Sequence, residues 1–498
     1  MSGHRATALA AAALLLVATG CASAPTGVTT AVPAMRTDTA LPPIQREMRG
    51  VWVATVANID WPSRTGLSAD QQRTELASIM DRAAAIGLNT IVFQVRPASD
   101  AVYRSSLEPW ASLLSGVQGT DPGYDPLLLA IELAHARGMQ LHAWINPFRA
   151  GNAKDTSVLA ATHLFRTRRD LVRVYGTQLW LDPGDPAVQD HVMRVVSDIV
   201  RRYDVDAVHA DDYFYPYPQT DSAKRAIAFP DSATYARSAS GMALDDWRRA
   251  NVDRFIERLA REVHAIKPSL LVGISPFGIW RPGNPPSVAG FDAYAAIYAD
   301  SRKWLQQGWV DYLSPQLYWA VAAPQQSYPA LLDWWVSQRT VARHIWPGLA
   351  AYRVGDGSAK ALSETEIADQ VMLTRQRAGA TGHVLFNATV TLRPGGPVAT
   401  SLASLYVLGA LVPASPWLGA MPPALPTLSV SGRVVQMTPG AGVAPRWWHV
   451  RMRAGGVWSA QTVIGTARSL TLAGDPERVV VNAVDAAGNA SADVAWRR

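Results

Sequence analysis

Between residues 49 and 411 the sequence alternates between short apolar runs and amphipathic stretches, and that alternation limits the fold more than any other feature. Residues 49–56 read as a strand, and 69–86 as a helix closed by Gly87. Residues 88–96 form a buried strand, 125–137 a helix closed by Gly138, and 139–146 a third strand. Residues 186–203 follow as a helix with Asp185 as its N-cap, leading into a strand that starts at Val205. The pattern continues with helix 244–266, strand 270–275, helix 293–307 and strand 310–317. Helix 328–339, strand 344–350, helix 363–378, strand 383–388 and helix 399–411 complete it. Eight strands alternating with helices leave two architectures, a closed (β/α)8 TIM barrel or an open doubly wound sheet. The open sheet usually carries a glycine-rich phosphate turn after its first strand, and none is present here. The expectation is therefore α/β, a TIM barrel over residues 47–412.

The flanks have a different texture. Residues 1–20 read as a secretion signal, with His4 and Arg5 before an apolar run too short to remain as a membrane span. Ala18-Thr19-Gly20-Cys21 resembles a bacterial lipobox, so Cys21, the chain's single cysteine, is expected to carry lipid. With Ala22 rather than Asp after it, an outer-membrane anchor facing the periplasm is expected. Residues 21–46 read as a tether rich in Ala, Thr and Pro, and 413–427 as a Pro-rich linker. Residues 428–498, with short alternating strands and turn residues, are expected to form a small all-β sandwich of the fibronectin III or immunoglobulin type. A net charge of +6 on 498 residues is too weak to argue for nucleic acid, and a monomer is expected.

The candidate chemistry is at strand ends. The fourth strand stops at two neighbouring carboxylates, Asp211 and Asp212, followed by an aromatic, Pro-broken loop at residues 213–217 that includes Tyr213 and Tyr215. Adjacent acids raise each other's pKa, so one is kept protonated beside a charged partner, as glycosidic cleavage requires. Strand alternation puts Ala207, His209 and Asp211 on one face and Asp206, Val208, Ala210 and Asp212 on the other. With Asp211 inward, the other strands offer Gln94 and Arg96, His142 and Asn146, Ser275, Gln316 and Tyr318, and Asn387. Asp100 and Trp280 follow in loops. A packed barrel would show Val, Ile and Leu at such positions, so this ring suggests a polar substrate. Blander readings stand beside it: His142 and His209 as satisfied core histidines, Arg96 paired with a barrel carboxylate, Asp100 as a turn cap. Asp206 and Asp311 open their strands at the opposite face and read as structural. The His and Asp residues are scattered without a metal-binding spacing, and no Gly-x-Ser-x-Gly elbow is present, so neither metal nor other cofactor is expected.

The order of motifs resembles the bacterial glycosyl hydrolase-like 10 family across about residues 45–412. The matches are EMRGVWV from Glu47, NIDWP from Asn58, FQVRP from Phe93 with SDA from Ser99, and HAWINPFR from His142. They continue with LDPG from Leu181, DDYFYP from Asp211, GISPFGIWR from Gly273 and DYLSPQLYW from Asp311. Ala210 departs from the pattern, where a larger aliphatic is expected, and leaves the acid pair untouched. The resemblance implies a glycosidase acting on envelope polysaccharide, in particular peptidoglycan glycan strands stripped of their stem peptides. No second carboxylate stands at the ends of strands five to eight, so the hypothesis is substrate-assisted: Asp212 as general acid and Asp211 as partner of the substrate's N-acetyl group. The alternative is a non-catalytic wall-binding lipoprotein, with the 213–217 loop and Trp280 as sugar platforms.

Overall fold

The computed structural model describes residues 40–498; the signal, the lipobox with Cys21 and most of the tether lie outside the described residues. Eight parallel strands form the centre: β1 Met48–Val53, β2 Thr90–Arg96, β3 Gln140–Ile145, β4 Ala207–Ala210, β5 Leu271–Ile274 and β6 Tyr312–Leu313. β7 consists of two paired dipeptides, His344–Ile345 and Gly348–Leu349, and β8 is Gly382–Leu385. The first half of β7 pairs with β6 and the second half with β8, while Met48 of β1 lies opposite Gly382 of β8. Strand seven thus closes the sheet into a barrel.

The helices form where capping and periodicity put them. Ser68 and Gln71 make a reciprocal capping box at α1 (Ala69–Ala85). Asp125 and Asp185 accept backbone N–H bonds at the starts of α2 (Pro126–Ala136) and α3 (Pro186–Arg202), each with Pro in the first turn. α4 (Leu244–Ile266) is continuous. The helix expected over 293–307 is two pieces, Ala293–Ala296 and α5 (Ser301–Gln306). Tyr298 between them takes a positive φ of 57° that no helix accommodates, and its hydroxyl accepts a hydrogen bond from Arg248. α6 (Tyr328–Ser337), α7 (Glu366–Arg375) and α8 (Pro397–Leu405) complete the ring. Sequence periodicity missed a three-stranded antiparallel sheet in the β3–α3 connection, built from Arg149–Asn152, Val172–Tyr175 and Gln178–Leu181.

Period-2 alternation separates two cores. Val51, Val53, Ile91 and Phe93 point outward under the helices. Trp52, Val92, Trp144, Ala207, Tyr312 and Trp346 fill the barrel. Its centre is polar and fully paired. The Trp52 indole N–H donates to His209 Nε2 (3.2 Å), so that nitrogen is an acceptor and the ring hydrogen sits on Nδ1. His209 Nδ1 then gives its hydrogen to the Tyr312 hydroxyl (3.0 Å), which donates onward to His142 Nδ1 (2.9 Å). His142 Nε2 faces Gln140 Oε1 (3.1 Å). Burial pushes both rings down, His142 to about 4, so both are neutral. Gly273 makes this possible: a Cβ there would fall 1.9 Å from Tyr312 Cζ.

Beyond the barrel, Thr427–Ser431, Val434–Thr438 and Ser469–Thr471 form one antiparallel sheet. Val457–Ile464, Trp447–Ala454, Arg478–Val484 and Val494–Arg497 form a second. The two enclose Val435, Met437, Trp448, Val450, Val479 and Val481. This sandwich sits on the N-terminal face of the barrel. Arg446 binds Asp204 (2.6 Å) and Asp206 (2.7 Å), and the Trp417 indole donates to Asp311 (2.8 Å). Asp206 and Asp311 are thus structural. Among the described residues no helix is long and apolar enough to cross a membrane.

Candidate active site

At the opposite, C-terminal face the strand ends surround a cavity of about 230 Å³. β1 and its loop contribute Trp52, Ala54, Val56 and Ile59, β2 contributes Gln94, and β3 with its loop contributes Trp144 and Arg149. Asp211, Asp212 and Tyr213 follow β4, with Ser275, Gln316, Tyr318 and Phe386 completing the wall. Strand alternation places Asp212 on the outer face. Instead β4 ends at Ala210 and the chain turns, so both carboxylates line the same cavity. They are the two acids among its described lining residues.

Asp211 is held by donors. Asn146 Nδ2 (2.5 Å) and the Trp144 indole (3.3 Å) donate to Oδ2, and the Tyr213 N–H donates to Oδ1 (3.2 Å). The orientation of Asn146 is dictated from further back. Gln94 Oε1 accepts the backbone N–H groups of Thr55 (2.9 Å) and Val56 (2.8 Å), so its amide nitrogen must donate to Asn146 Oδ1 (2.5 Å). Asn146 is left to present its own NH2 to Asp211. Asp212 accepts from Gln316 Nε2 on Oδ1 (3.1 Å) and from the Tyr217 hydroxyl on Oδ2. Gln316 also donates to the Ser275 carbonyl (2.9 Å), which ties β5 to β6.

Burial pushes Asp211 up to about 7; Arg149 pulls it down and the Asp212 charge pushes it up again. Asp212 is raised as well, chiefly by burial, with Tyr217 and Gln316 opposing. Both carboxyls are thus raised, and their mutual repulsion favours a proton on one of them. The Arg149 guanidinium lies 4.3 Å over the Tyr213 ring, whose hydroxyl burial raises to about 12. Among the described residues no three His, Cys, Asp or Glu side chains are placed to hold a metal ion.

Several residues singled out in the sequence are elsewhere. Arg96 is fully buried, bidentate to Glu108 (2.7 and 2.5 Å), and donates to the carbonyls of Asn146 and Pro147. It braces the β3 loop rather than facing substrate. Burial pushes Glu108 up, but Arg96 and His191 more than offset that and hold it at about 2. Asp100 accepts from Ala98 N–H and Gln118 and is pushed by burial to about 7, away from the cavity. His142 and His209 lie beneath it in the barrel centre, His209 in contact with the Ser275 hydroxyl (3.0 Å). Asn146 acts on Asp211 without lining the wall. Tyr215 is fully buried against Phe229 and Tyr298. Trp280 stacks on Trp334 and bonds Asp300 at the barrel flank. Phe386, not Asn387, reaches the cavity.

Sequence reasoning missed Trp52, Trp144, Arg149 and Phe386, and placed Tyr217 only in the aromatic platform loop, not against Asp212. Arg149 closes the HAWINPFR motif and Tyr217 ends the aromatic loop, so both carried a signal. Neither could be assigned to an acid without the chain's turn after Ala210.

Comparison with known proteins places the chain in a family. The chain is 39% identical over 397 residues to the glycosyl hydrolase YngK of Bacillus subtilis (strain 168), covering 77% of this chain and 76% of that protein. It is 36% identical over 333 residues to the glycosyl hydrolase DigH of Escherichia coli (strain K12), covering 62% and 74%. The PgaB (BpsB) glycoside hydrolase domain from Bordetella bronchiseptica aligns at 16% identity and TM-score 0.47, over 74% of this chain and 100% of that one. Residues 47–363 match the family model described as Glycosyl hydrolase-like 10. The chain belongs to the glycosyl hydrolase-like 10 family.

Proposed function

We propose that this protein is a glycoside hydrolase of the bacterial envelope that cleaves peptidoglycan glycan strands, with stem-peptide-free strands as its preferred substrate. The observation that carries this reading is the pair of buried carboxylates, both raised in pKa, on the cavity wall of a chain from a glycosyl hydrolase family. Asp212 is the general acid and protonates the leaving glycosidic oxygen as the bond to the anomeric carbon breaks. Asp211, ringed by three donors, accepts the N–H of the substrate's acetamide, whose carbonyl oxygen attacks that carbon. Water then opens the cyclic intermediate and its proton returns to Asp212. Arg149 limits the charge that builds up between the acids, and Tyr213, Tyr318 and Phe386 give the cavity wall an aromatic surface for the sugar. Lipidation at Cys21 would hold the enzyme at the outer membrane, facing the wall.

The test is incubation with peptide-free glycans and mass spectrometry of the products, beside Asp211→Asn and Asp212→Asn. New reducing-end oligosaccharides from the wild type, with losses of about 10²–10⁴-fold in Asp212→Asn, are expected. Near-normal turnover by Asp212→Asn would refute its role as acid. Binding without cleavage, unchanged in both variants, would favour a wall-binding protein.

A further inference from the structure

The face of the C-terminal four-stranded sheet that packs Trp447 and Val484 on Leu411 carries a row of arginines at its far end. Trp458, Arg453, Arg478 and Arg497 stand in register across its four strands. Their chain neighbours Met452, Val479 and Trp496 point the other way, into the sandwich core. Arg453 pairs with Glu477, and the Arg478 guanidinium lies 5.8 Å over the Trp458 ring. Neither Arg478 nor Arg497 has a carboxylate partner among the described residues. Like charges directly opposite one another weaken a sheet, so stability does not account for the row.

The row also has a defined place in the molecule. The N-terminal segment crosses the same sheet face: Ile44 packs on Trp447, Val484 and Ile464, and the Pro42 carbonyl accepts from Arg451 (2.7 Å). Arg451 is two residues, about 7 Å, from Arg453 along the strand. Residues 42–44 therefore run along the sheet face that carries the arginines. The sandwich is fixed to the N-terminal face of the barrel through Arg446 and Trp417, while the cavity opens at the C-terminal face.

We propose that this arginine row docks on anionic phospholipid headgroups, at the end of the molecule opposite the catalytic mouth. Guanidinium groups match phosphate oxygens in charge and geometry. The proposal rests on the reading of Cys21 as lipidated for the membrane being within reach, since residues 22–39 span at most about 60 Å when extended.

The test uses the mature chain with Cys21→Ser, so that no acyl chain contributes. Sedimentation is compared with vesicles of phosphatidylcholine alone and of an equal mixture with phosphatidylglycerol, at low and high salt. Binding to the mixed vesicles only, released by salt, is expected. Arg478→Glu with Arg497→Glu should weaken it at least about thirtyfold, while Arg393→Glu on the exposed barrel surface should not. Unchanged thermal unfolding and glycan cleavage would show the double variant folded. Equal binding to both vesicles, no binding to either, or a double variant that binds like wild type would overturn the proposal. Mass analysis of the unsubstituted protein's N-terminus reports on lipidation separately.

Discussion

Asp211→Asn should make the protein more stable at alkaline pH while it removes activity. Asp211 is 5% exposed, and burial lifts its carboxyl from the ordinary 3.8 to about 7. A carboxyl whose folded pKa lies above its unfolded value keeps a proton that the unfolded chain has released. Stability therefore falls as pH rises from near 4 through 7, then levels off. At about 1.4 kcal/mol per pH unit, the loss at pH 8 is roughly 4 kcal/mol. An asparagine there offers its carbonyl to Asn146 and Trp144 but turns its NH2 toward the Tyr213 N–H, a loss of about 1 kcal/mol. The variant should be more stable than wild type by about 3 kcal/mol at pH 8 and slightly less stable below pH 4. The Asp212 charge is one cause of that raised pKa, so its relief is already part of this figure. Thermal unfolding of both proteins across this range reads the crossover as a gap of several degrees that opens with pH. A variant destabilised equally at pH 4 and pH 8 would refute the buried-acid reasoning, whatever its effect on glycans.

Other substitutions probe the supports of the site. Glu108→Ala leaves the Arg96 charge buried without its carboxylate and should cost about 3–5 kcal/mol in denaturant unfolding. Glu108 is held at about 2, so its stabilising contribution is present above its unfolded value near 4.5 and is lost as pH falls toward 2. Gly273→Ala drives a methyl into the Tyr312 ring and should destabilise by about 1–3 kcal/mol or more, measured by unfolding. Tyr217→Phe removes a donor to the ionised form of Asp212. Its pH–rate profile should keep activity further into alkali than wild type, and an unchanged basic limb would disprove the coupling.

The barrel was legible because its causes are local. Strand and helix periods, the Ser68 and Asp185 caps and the glycines after α1 and α2 act within a few residues, and the sequence displays them. The DDYFYP stretch and the motifs at the strand ends marked the right face of the barrel for the same reason. By itself the sequence therefore determined the order of the barrel's strands and main helices, the adjacent acids and their place at the end of β4. The tertiary structure decided which groups meet. It turned the chain after Ala210 so that Asp212 joined Asp211, although strict alternation separates them. Closure of the sheet put Tyr217, Arg149 and Gln316 around the acids, and sent Arg96 to Glu108 and Tyr215 into the packing against α4. Those partners are up to 104 residues apart, and a side chain's direction at a strand end depends on the loop's path rather than on local spacing. The raised pKa of Asp211 belongs to this second kind of information, because it comes from burial that only the closed barrel provides.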